Sequence, residues 1–281
     1  MSGTLYLCAT PIGNLEDITF RVLRILKEVD LIAAEDTRNT IKLLNHFEIK
    51  TPMTSYHEYN KIDKAAYLVN KLSEGINIAL VTDAGTPGIS DPGEEIVRQA
   101  YEAGINVTSL PGACACITAL TLSGLSTRRF AFEAFLPTDK KERKAILESL
   151  INETRTTIIY EAPHHLRSTL DELYQYIGDR KITLCRELTK LHETIQLMTI
   201  KSAIEYYKEN PPKGEYVLVI SGRTLEELEI EKQQSWENVS LDKHMDIYMS
   251  QGLSKKEAMK KVASDRGISK RDVYQALLND N

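Results

Sequence analysis

Residues 77–103 read NIALVTDAGTPGISDPGEEIVRQAYEA, and this stretch decides the fold. The apolar run 78–81 has the length and β-branched content of a buried strand. A loop rich in glycine and proline follows, and then a helix, with Asp91 as predicted N-cap, Pro92 as first helical residue and Glu94 completing a capping box. This order of strand, loop and helix is typical of the ligand-binding edge of an open α/β sheet.

The loop at residues 82–92 is long for a connection between a strand and a helix. Ordinary connections of this kind need only about two to six residues, roughly half of its length. Its glycines allow backbone N–H and C=O groups to approach a ligand closely. We therefore interpret the segment as a binding loop and not as a plain connection.

Four other segments of the first half are short apolar strands that end on polar or glycine-bearing residues. The predicted strands are 4–9, 31–34, 53–54 and 107–110. Helices are predicted between them at 22–29, 62–72 and 113–122. This alternation predicts a parallel sheet whose functional edge lies at the carboxyl ends of its strands.

The second half has fewer crossovers and predicts a second α/β unit with a mixed sheet. Its predicted strands are 130–135, 156–160, 182–185, 193–198 and 216–220, with helices at 140–150 and 202–210. Residues 223–234 are acidic and read as a linker or an exposed helix. We therefore predict an α/β domain at 1–123, a second at 124–222, a linker at 223–235 and a small helical domain at 236–281.

The C-terminal tail has the spacing of a helix-turn-helix. Ala263 is the small residue, Gly267 the turn glycine, and Ile268 and Val273 the apolar packing residues. Seven basic residues stand against two acidic ones between Ser254 and Arg271. Two interpretations remain open: nucleic-acid contact, or a dimerisation or capping bundle with a solvated basic face.

Composition excludes several classes of protein. The net charge of −5 argues against a protein that coats nucleic acid non-specifically. No apolar run approaches the ~20 residues of a membrane helix, and the N-terminus lacks the pattern of a signal peptide. Four scattered cysteines fit a reducing cytoplasm, and no metal-ligand set, P-loop lysine or nucleophile elbow is present. We expect a cytoplasmic protein with neither a metal nor a membrane partner.

Polar clusters follow four of the predicted strands and could converge on one cleft. They are 35–38, 56–58, Glu161 with His164, and 186–187. Any one cluster alone is typical of a surface ion pair, whereas four at strand ends favour a site. Leu136, Leu188 and Val217 supply apolar walls, which suits an adenosine-like ligand. Carboxylates tolerate a cationic sulfonium where they would repel a polyphosphate, so a sulfonium cofactor is favoured over a nucleoside triphosphate.

Seven motifs, in order along the chain, resemble the ribosomal-RNA-modifying branch of the tetrapyrrole methylase family. They read ATPIGNLEDITFR, AAEDTR, SYHE, LVTDAGTPGISDPG, LPGACA, YEAPHHL and RELTKLHE. The resemblance runs from Leu5 to about Ser221. It implies the class III methyltransferase fold, with two α/β domains and S-adenosyl-L-methionine in the cleft between them. It also implies 2′-O-methylation of a cytidine ribose in the decoding region of small-subunit ribosomal RNA, as free RNA or in the 30S subunit, by a homodimer.

The same resemblance assigns the cofactor contacts, most of them through backbone atoms. They are Pro11, Asp83, Ala84, Gly85, Gly88, Ile89, Ala115, Cys116, Tyr160, Glu161, Leu188, Thr189, Glu215 and Tyr216. The apolar wall residue Leu136 completes the predicted cofactor site. A ribose hydroxyl is a weak nucleophile and benefits from a general base. The candidates for this base are Glu35, Asp36, His57 and Glu58, with Glu161 a weaker one and Arg38 expected on a neighbouring phosphate.

Two other functions remain open from the sequence. A precorrin methylase on the same fold would need a roomy cleft for a flat macrocycle and no basic tail; the AEDTR and SYHE segments speak against it. A non-catalytic RNA-binding protein that retained the fold would not bind the methyl donor. Binding of labelled S-adenosylmethionine distinguishes this last function from the two enzymatic ones.

Overall fold

The computed structural model describes residues 1–279, and its first half forms a five-stranded sheet. The strands are β1 (Thr4–Cys8), β2 (Leu31–Ala34), β3 (Met53–Ser55), β4 (Ile78–Val81) and β5 (Asn106–Leu110). Their order is β3-β2-β4-β1-β5, and every pairing is parallel. The predicted parallel sheet is confirmed, and all five carboxyl ends share one edge.

Both faces of this sheet are covered, as period-two side chains require. In β4, Ile78 and Leu80 belong to one core cluster, and Ala79 and Val81 belong to the other. The helices of this half are α1 (Phe20–Glu28), α2 (Thr37–His46), α3 (Lys61–Ser73), α4 (Gly93–Glu102) and α5 (Ala115–Leu122). Side chains of α3 and α4 complete the cluster that contains Ile78 and Leu80. Those of α1 and α2 complete the cluster that contains Ala79 and Val81.

The start of α4 differs by one residue from the prediction. Pro92 is the N-cap and Gly93 the first helical residue, so the capping box with Glu94 is wrong. Asp91 still caps the helix, because its carboxylate accepts a hydrogen bond from the Gly93 N–H at 2.8 Å. The same carboxylate also accepts hydrogen bonds from two N–H groups of the preceding loop, those of Gly88 and Ile89.

A second, mixed sheet follows, as predicted. Its strands are β6 (Phe130–Phe135), β7 (Thr156–Glu161), β8 (Lys181–Arg186), β9 (Thr194–Thr199) and β10 (Tyr216–Ile220). In the order β6-β7-β10-β8-β9 only β6 and β7 pair in parallel. The accompanying helices are α6 (Lys140–Ser149), α7 (Leu166–Ile177) and α8 (Ile200–Glu209). Residues 1–148 and 156–221, which contain both sheets, form one compact unit.

The second compact unit contains residues 149–155 and the chain from Gly222 onward. Its helices are α9 (Leu225–Ser235), α10 (Leu241–Ser250), α11 (Lys255–Arg266) and α12 (Lys270–Asn279). The segment 223–235, which reads as a linker or an exposed helix, contains α9. A small core of residues from α10, α11 and α12 includes Met245, Val262 and Val273.

The turn between α11 and α12 has the helix-turn-helix form. Gly267 ends α11 in the left-handed region at φ 63°, and Ala263 and Val273 are buried. Ile268 was expected to pack in this core, but its side chain is 39% exposed. Its backbone N–H bonds to the Ala263 carbonyl at 3.1 Å, so Ile268 contributes to the turn through its backbone.

The second unit also contains a buried polar cluster. His244 is fully buried and stacks on Trp236 with ring centroids 3.6 Å apart. Its Nδ1 accepts a hydrogen bond from Arg266 Nε at 3.2 Å, and Asp265 of α11 forms an ion pair with Lys232 of α9 at 2.6 Å. Burial and the Arg266 charge lower the pKa of His244, so the imidazole is neutral at pH 7.

Candidate active site

A cavity of about 430 Å³ lies within the first unit, at the carboxyl ends of strands from both sheets. Eleven residues predicted for the site line it: Glu35, Asp83, Ala84, Gly85, Ile89, Ala115, Tyr160, Glu161, Leu188, Glu215 and Tyr216. The apolar wall residues Leu188 and Val217 lie where the sequence predicts them. The predicted binding loop at residues 82–92 thus borders a cavity of the size typical of small-molecule sites.

The binding loop is held in place by hydrogen bonds on both of its sides. Thr10 and Gly85 exchange backbone hydrogen bonds of 2.9 and 3.0 Å, which joins the loop to the segment after β1. Gly85 has φ 89°, a conformation that favours glycine. Asp91 accepts from the N–H groups of Gly88, Ile89 and Gly93 at 2.8 to 3.1 Å. The loop is therefore anchored at both ends by bonds within the chain itself.

The cavity is strongly acidic. Six carboxylates line it, against the single ammonium of Lys190: Glu35, Asp83, Asp91, Glu161, Glu187 and Glu215. Such a lining attracts a cationic ligand and repels a polyphosphate. Lys190 is held between two of these carboxylates, with Nζ 3.0 Å from Glu187 Oε1 and 2.8 Å from Glu215 Oε2.

Glu35 and Asp83 are linked at the ends of β2 and β4. Glu35 Oε2 accepts a hydrogen bond from the Thr82 hydroxyl at 2.5 Å and one from the Asp83 N–H at 3.3 Å. Burial, together with the Glu35 charge, raises the pKa of Asp83. The Asp83 carboxylate therefore has a higher proton affinity than the carboxylate of a fully solvated aspartate.

Asp36 is in a different environment, although it is next to Glu35 in the chain. Its carboxylate caps the N-terminus of α2 and accepts bidentate hydrogen bonds from the Arg38 guanidinium, the shortest being 2.7 Å. The hydrogen bonds from Arg38 lower the pKa of Asp36 to about 2. Asp36 and Arg38 do not line the cavity. Asp36 is therefore an ionised structural carboxylate and a weak base.

The two other predicted base candidates also lie outside the cavity lining. His57 caps the short 3₁₀ turn Glu58–Asn60, with its Nε2 3.3 Å from Asn60 Nδ2. Glu58 forms an ion pair with Lys61 at 2.5 Å on the surface. The sequence motif SYHE instead contributes Tyr56, which is buried and donates its hydroxyl to the Pro92 carbonyl at 2.7 Å. This bond fixes the end of the binding loop.

Aromatic side chains form the wall from the second sheet. Phe132 and Phe135 contact the Tyr160 ring edge to face, at centroid distances of 4.9 and 5.6 Å. The Tyr160 hydroxyl oxygen accepts a hydrogen bond from the Cys116 N–H at 3.1 Å, which joins this wall to the start of α5. Glu161 is buried and its carboxylate is bonded to Thr169 and to the Ala162 N–H, so it is committed to structure.

The loop after β8 is strained and contains an unused polar atom. Glu187 and Thr189 have φ values of 51° and 66°, which residues other than glycine rarely adopt, a β-branched residue such as Thr189 least of all. Thr189 Oγ1 is buried without a hydrogen-bond partner among the described residues. A Cβ on Gly13 would lie 2.4 Å from Lys190 Cγ, so glycine is required for the β1 loop to approach this one. Strain and an unsatisfied hydroxyl beside the cavity are typical of a ligand site.

Several predicted cofactor residues stand just outside the cavity lining: Pro11, Gly88, Cys116, Leu136 and Thr189. Conversely, the lining contains residues that were not predicted to be catalytic or to bind the cofactor, although Glu187 belongs to a predicted polar cluster and four others to the predicted binding loop. These residues are Ile12, Thr82, Thr86, Ser90, Asp91, Cys114, Phe135, Ala162, Pro163, Cys185, Glu187 and Lys190. The sequence does hold a signal for Phe135 and Cys114 as lining residues, because Phe135 ends a predicted strand and Cys114 follows a predicted turn. The position of Lys190 depends on the left-handed turn after β8, for which the sequence has no signal.

A second cavity, of about 340 Å³, adjoins the first and shares Thr82 and Asp83 with it. Its other walls come from the loop after β1, including Pro11, and from α2, including Asn39, Lys42 and His46. Asn39 Nδ2 is 3.4 Å from Asp83 Oδ2. Asp83 therefore stands between an acidic cavity and one with two basic side chains.

No group of three or more potential metal ligands occurs within residues 1–279. None of the helices in that range is long and apolar enough to cross a membrane.

Comparisons with known proteins agree with this architecture. A family model described as "Tetrapyrrole (Corrin/Porphyrin) Methylases" matches residues 4–204. Proteins named "Ribosomal RNA small subunit methyltransferase I" are similar over almost the whole chain. The one from Halalkalibacterium halodurans is 50% identical over 272 residues, which is 97% of this chain and 93% of that relative. The one from a Synechocystis species is 49% identical over 277 residues, 98% of each chain.

Solved structures share the fold at low sequence identity. A crystal structure of diphthine synthase superposes with a TM-score of 0.61 at 16% identity, covering 82% of this chain and 94% of that one. A likeness at this identity concerns the fold alone.

Proposed function

This chain belongs to the tetrapyrrole methylase family, and from that membership we propose that it is an S-adenosylmethionine-dependent RNA methyltransferase. Its acceptor is the ribose 2′-oxygen of a cytidine in the decoding region of small-subunit ribosomal RNA. The observation that carries the proposal is 49–50% identity, over 97–98% of the chain, to relatives named for this ribosomal RNA.

The residues of the acidic cavity fit the cofactor. When bound, S-adenosylmethionine supplies an electrophilic methyl group on a cationic sulfonium. Six carboxylates favour such a cation over the polyphosphate of a nucleotide, and the Thr189 hydroxyl offers an unused hydrogen-bonding atom. Lys190 is the one cation of the lining and can hold a ligand carboxylate, while Phe135 and Val217 give apolar contact.

Asp83 is the best candidate for the general base. It lines both cavities, so a ribose in the second cavity could present its hydroxyl to Asp83 Oδ2 beside the methyl donor. Its raised pKa makes it a better proton acceptor than Asp36, whose pKa is about 2. Glu35 orients Asp83 through the Asp83 N–H, and its charge increases the proton affinity of Asp83.

Basic side chains next to Asp83 fit the RNA backbone. Lys42 and His46 line the second cavity, and the Arg38 side chain is 88% exposed beside them in the chain while Asp36 fixes its orientation. Guanidinium and ammonium groups bind phosphate with charge-assisted hydrogen bonds. We therefore assign the second cavity to the acceptor nucleotide, with these three residues on the flanking phosphates.

A direct test offers tritiated S-adenosylmethionine together with three acceptors: undermodified small subunits, naked ribosomal RNA and a tetrapyrrole. We expect label in RNA and none in the tetrapyrrole. Label in the tetrapyrrole alone would support the precorrin-methylase alternative and contradict the proposal. Failure to bind the cofactor in a calorimetric titration would contradict both enzymatic functions.

Two further properties belong to the proposal and derive from the family resemblance. We propose that the chain acts as a homodimer and that it works in the cytoplasm, where its RNA substrate is made. Light scattering on the purified protein tests the first, and a mass near that of one 31.8 kDa chain would contradict it.

A further inference from the structure

A basic groove lies in the second unit, between the first turns of α11 and α12. We define the basic groove by the six residues that line it: Lys255, Lys256, Met259, Lys270, Arg271 and Tyr274. It has a volume of about 610 Å³. The four cationic side chains are exposed and Tyr274 is 53% exposed, whereas Met259 is buried at its base.

The four cations of the basic groove form no ion pair with the described residues, although the nearby Asp272 carboxylate attracts Arg271. No carboxylate within residues 1–279 lies within 4.0 Å of any of them, whereas other cations of this unit are paired, such as Lys232 with Asp265. The two acidic residues nearest in sequence serve as helix caps. Glu257 accepts from the Ser254 N–H and hydroxyl at 3.0 and 2.6 Å, and Asp272 accepts from Ser269 at 3.1 and 2.7 Å.

This charge distribution is unusual for the chain, because the whole protein has a net charge of −5. Unpaired cations that repel one another within one groove are stabilised by a polyanion, which releases counterions when it binds. The exposed ring of Tyr274 lies among these cations. Cations beside an accessible aromatic ring match a nucleic-acid strand, whose phosphates contact lysine and arginine while a base stacks on the ring.

We propose that the basic groove binds the phosphodiester backbone of the RNA substrate, with one unpaired base stacked on Tyr274. The inference rests on the proposed function, because that function makes RNA the substrate. It resolves the two interpretations of the basic tail in favour of nucleic-acid contact. An anionic lipid surface fits less well, because the apolar part of the groove consists only of the buried Met259 and the Tyr274 ring.

The test compares two double variants on the same helix. Lys255→Gln with Lys256→Gln removes two charges inside the basic groove, and Lys260→Gln with Lys261→Gln removes two exposed charges of α11 that do not line it. We measure the Kd for a fluorescent ribosomal RNA fragment by anisotropy at several salt concentrations. The groove variant should bind about tenfold more weakly near 150 mM salt, with a salt slope smaller by about 1.5. The control variant should change the Kd by less than about twofold.

Tyr274→Leu and Tyr274→Phe test the stacking contact separately. Loss of the ring should weaken binding about fivefold or more, whereas Phe should keep near-normal affinity. The fluorescence of Trp236, the single tryptophan of the chain, verifies that the second unit is folded in each variant.

Each outcome bears on one claim. If wild-type protein methylates RNA but the groove and control variants bind it equally well, the inference is wrong and the proposed function stands. If wild-type protein neither binds nor methylates RNA, both are wrong. If the groove mutations abolish binding to phosphatidylglycerol vesicles but leave RNA affinity unchanged, the groove serves a membrane surface and the inference is also wrong.

Discussion

Asp83 and Asp36 are joined by a hydrogen bond, yet they have opposite acid–base character. The Asp36 N–H donates to Asp83 Oδ1 at 3.2 Å, while the Asp36 carboxylate is bound by Arg38. Burial beside Glu35 raises the pKa of Asp83, and Arg38 lowers that of Asp36 to about 2. Environment thus separates two neighbouring carboxylates into a stronger proton acceptor, Asp83, and a weaker one, Asp36.

Replacement of Asp83 should affect the chemical step most. Asp83→Asn keeps the shape but cannot accept a proton, so we expect single-turnover methylation to fall roughly 10²- to 10⁴-fold. The cofactor Kd, measured by calorimetry, should change much less. Asp36→Asn should cost far less, and Glu58→Gln, at a surface ion pair, should have no effect. Equal losses in Asp36→Asn and Asp83→Asn would contradict the assignment.

The pH dependence of the wild-type rate follows from the same pKa. A carboxylate base works only when it is ionised, so the single-turnover rate should rise with pH through the raised pKa of Asp83 and then level off. Asp83→Asn should lose this rise. A wild-type rate that is flat from pH 4 to pH 8 would exclude Asp83 as the base.

Asp91 should control the order of the binding loop. Asp91→Ala leaves three N–H groups of the loop and α4 without their acceptor, those of Gly88, Ile89 and Gly93. We expect faster hydrogen exchange in residues 82–92, weaker cofactor binding, and a loss of about 1–2 kcal/mol in the free energy of unfolding from the helix cap. Glu94→Ala, on the first turn of the same helix, is the control. If both variants behaved alike, the anchoring role would be refuted.

Cys114 should be the most reactive cysteine. It lines the cavity, and the hydrogen bond between its sulfur and that of Cys116, 3.4 Å apart, lowers the pKa of Cys114. Burial raises the pKa of Cys8 and of Cys185 to about 12, which makes them inert. Iodoacetamide at pH 7.5 should therefore label Cys114 first, as read by peptide mass spectrometry. S-adenosylmethionine should protect it, and undiminished labelling at saturating cofactor would argue against the assigned cavity.

The second unit should lose stability on mild acidification. The pKa of His244 is lowered in the folded state from 6.5 by burial and by Arg266. The contribution of neutral His244 to the free energy of unfolding is therefore present above pH 6.5. It decreases as the pH falls through the folded-state pKa of His244. The thermal midpoint from Trp236 fluorescence should be lower at pH 5.5 than at pH 7.5. His244→Phe, which retains an aromatic ring beside Trp236, should make the thermal midpoint less dependent on pH. An unchanged pH dependence in this variant would contradict the role of His244.

The sequence predicted the sheets and the binding loop because both depend on local patterns. Buried runs such as 78–81 identify strands, and the long loop that follows identifies the site. The helix α2 was not predicted, because its buried face consists of little more than Thr40 and Leu44. Without α2 the second cavity could not be anticipated.

Acid–base assignments were the least predictable part of the site. Asp36, His57 and Glu58 follow strands, as site residues do, but each is committed to a cap or an ion pair. Those commitments depend on side-chain geometry after the chain has folded. Asp83 was assigned to the cofactor because of its loop, whereas its position between two cavities depends on the packing of α2 against that loop.

Methyl transfer to an RNA ribose is the reaction that we propose for this cavity. Its most direct test is one turnover with tritiated S-adenosylmethionine and undermodified small subunits, followed by nuclease digestion and mapping of the label. We expect one label per subunit, on the 2′-oxygen of a decoding-region cytidine, and none with Asp83→Asn. Label on a base, or at many sites, or at full level with Asp83→Asn, would contradict the proposed reaction.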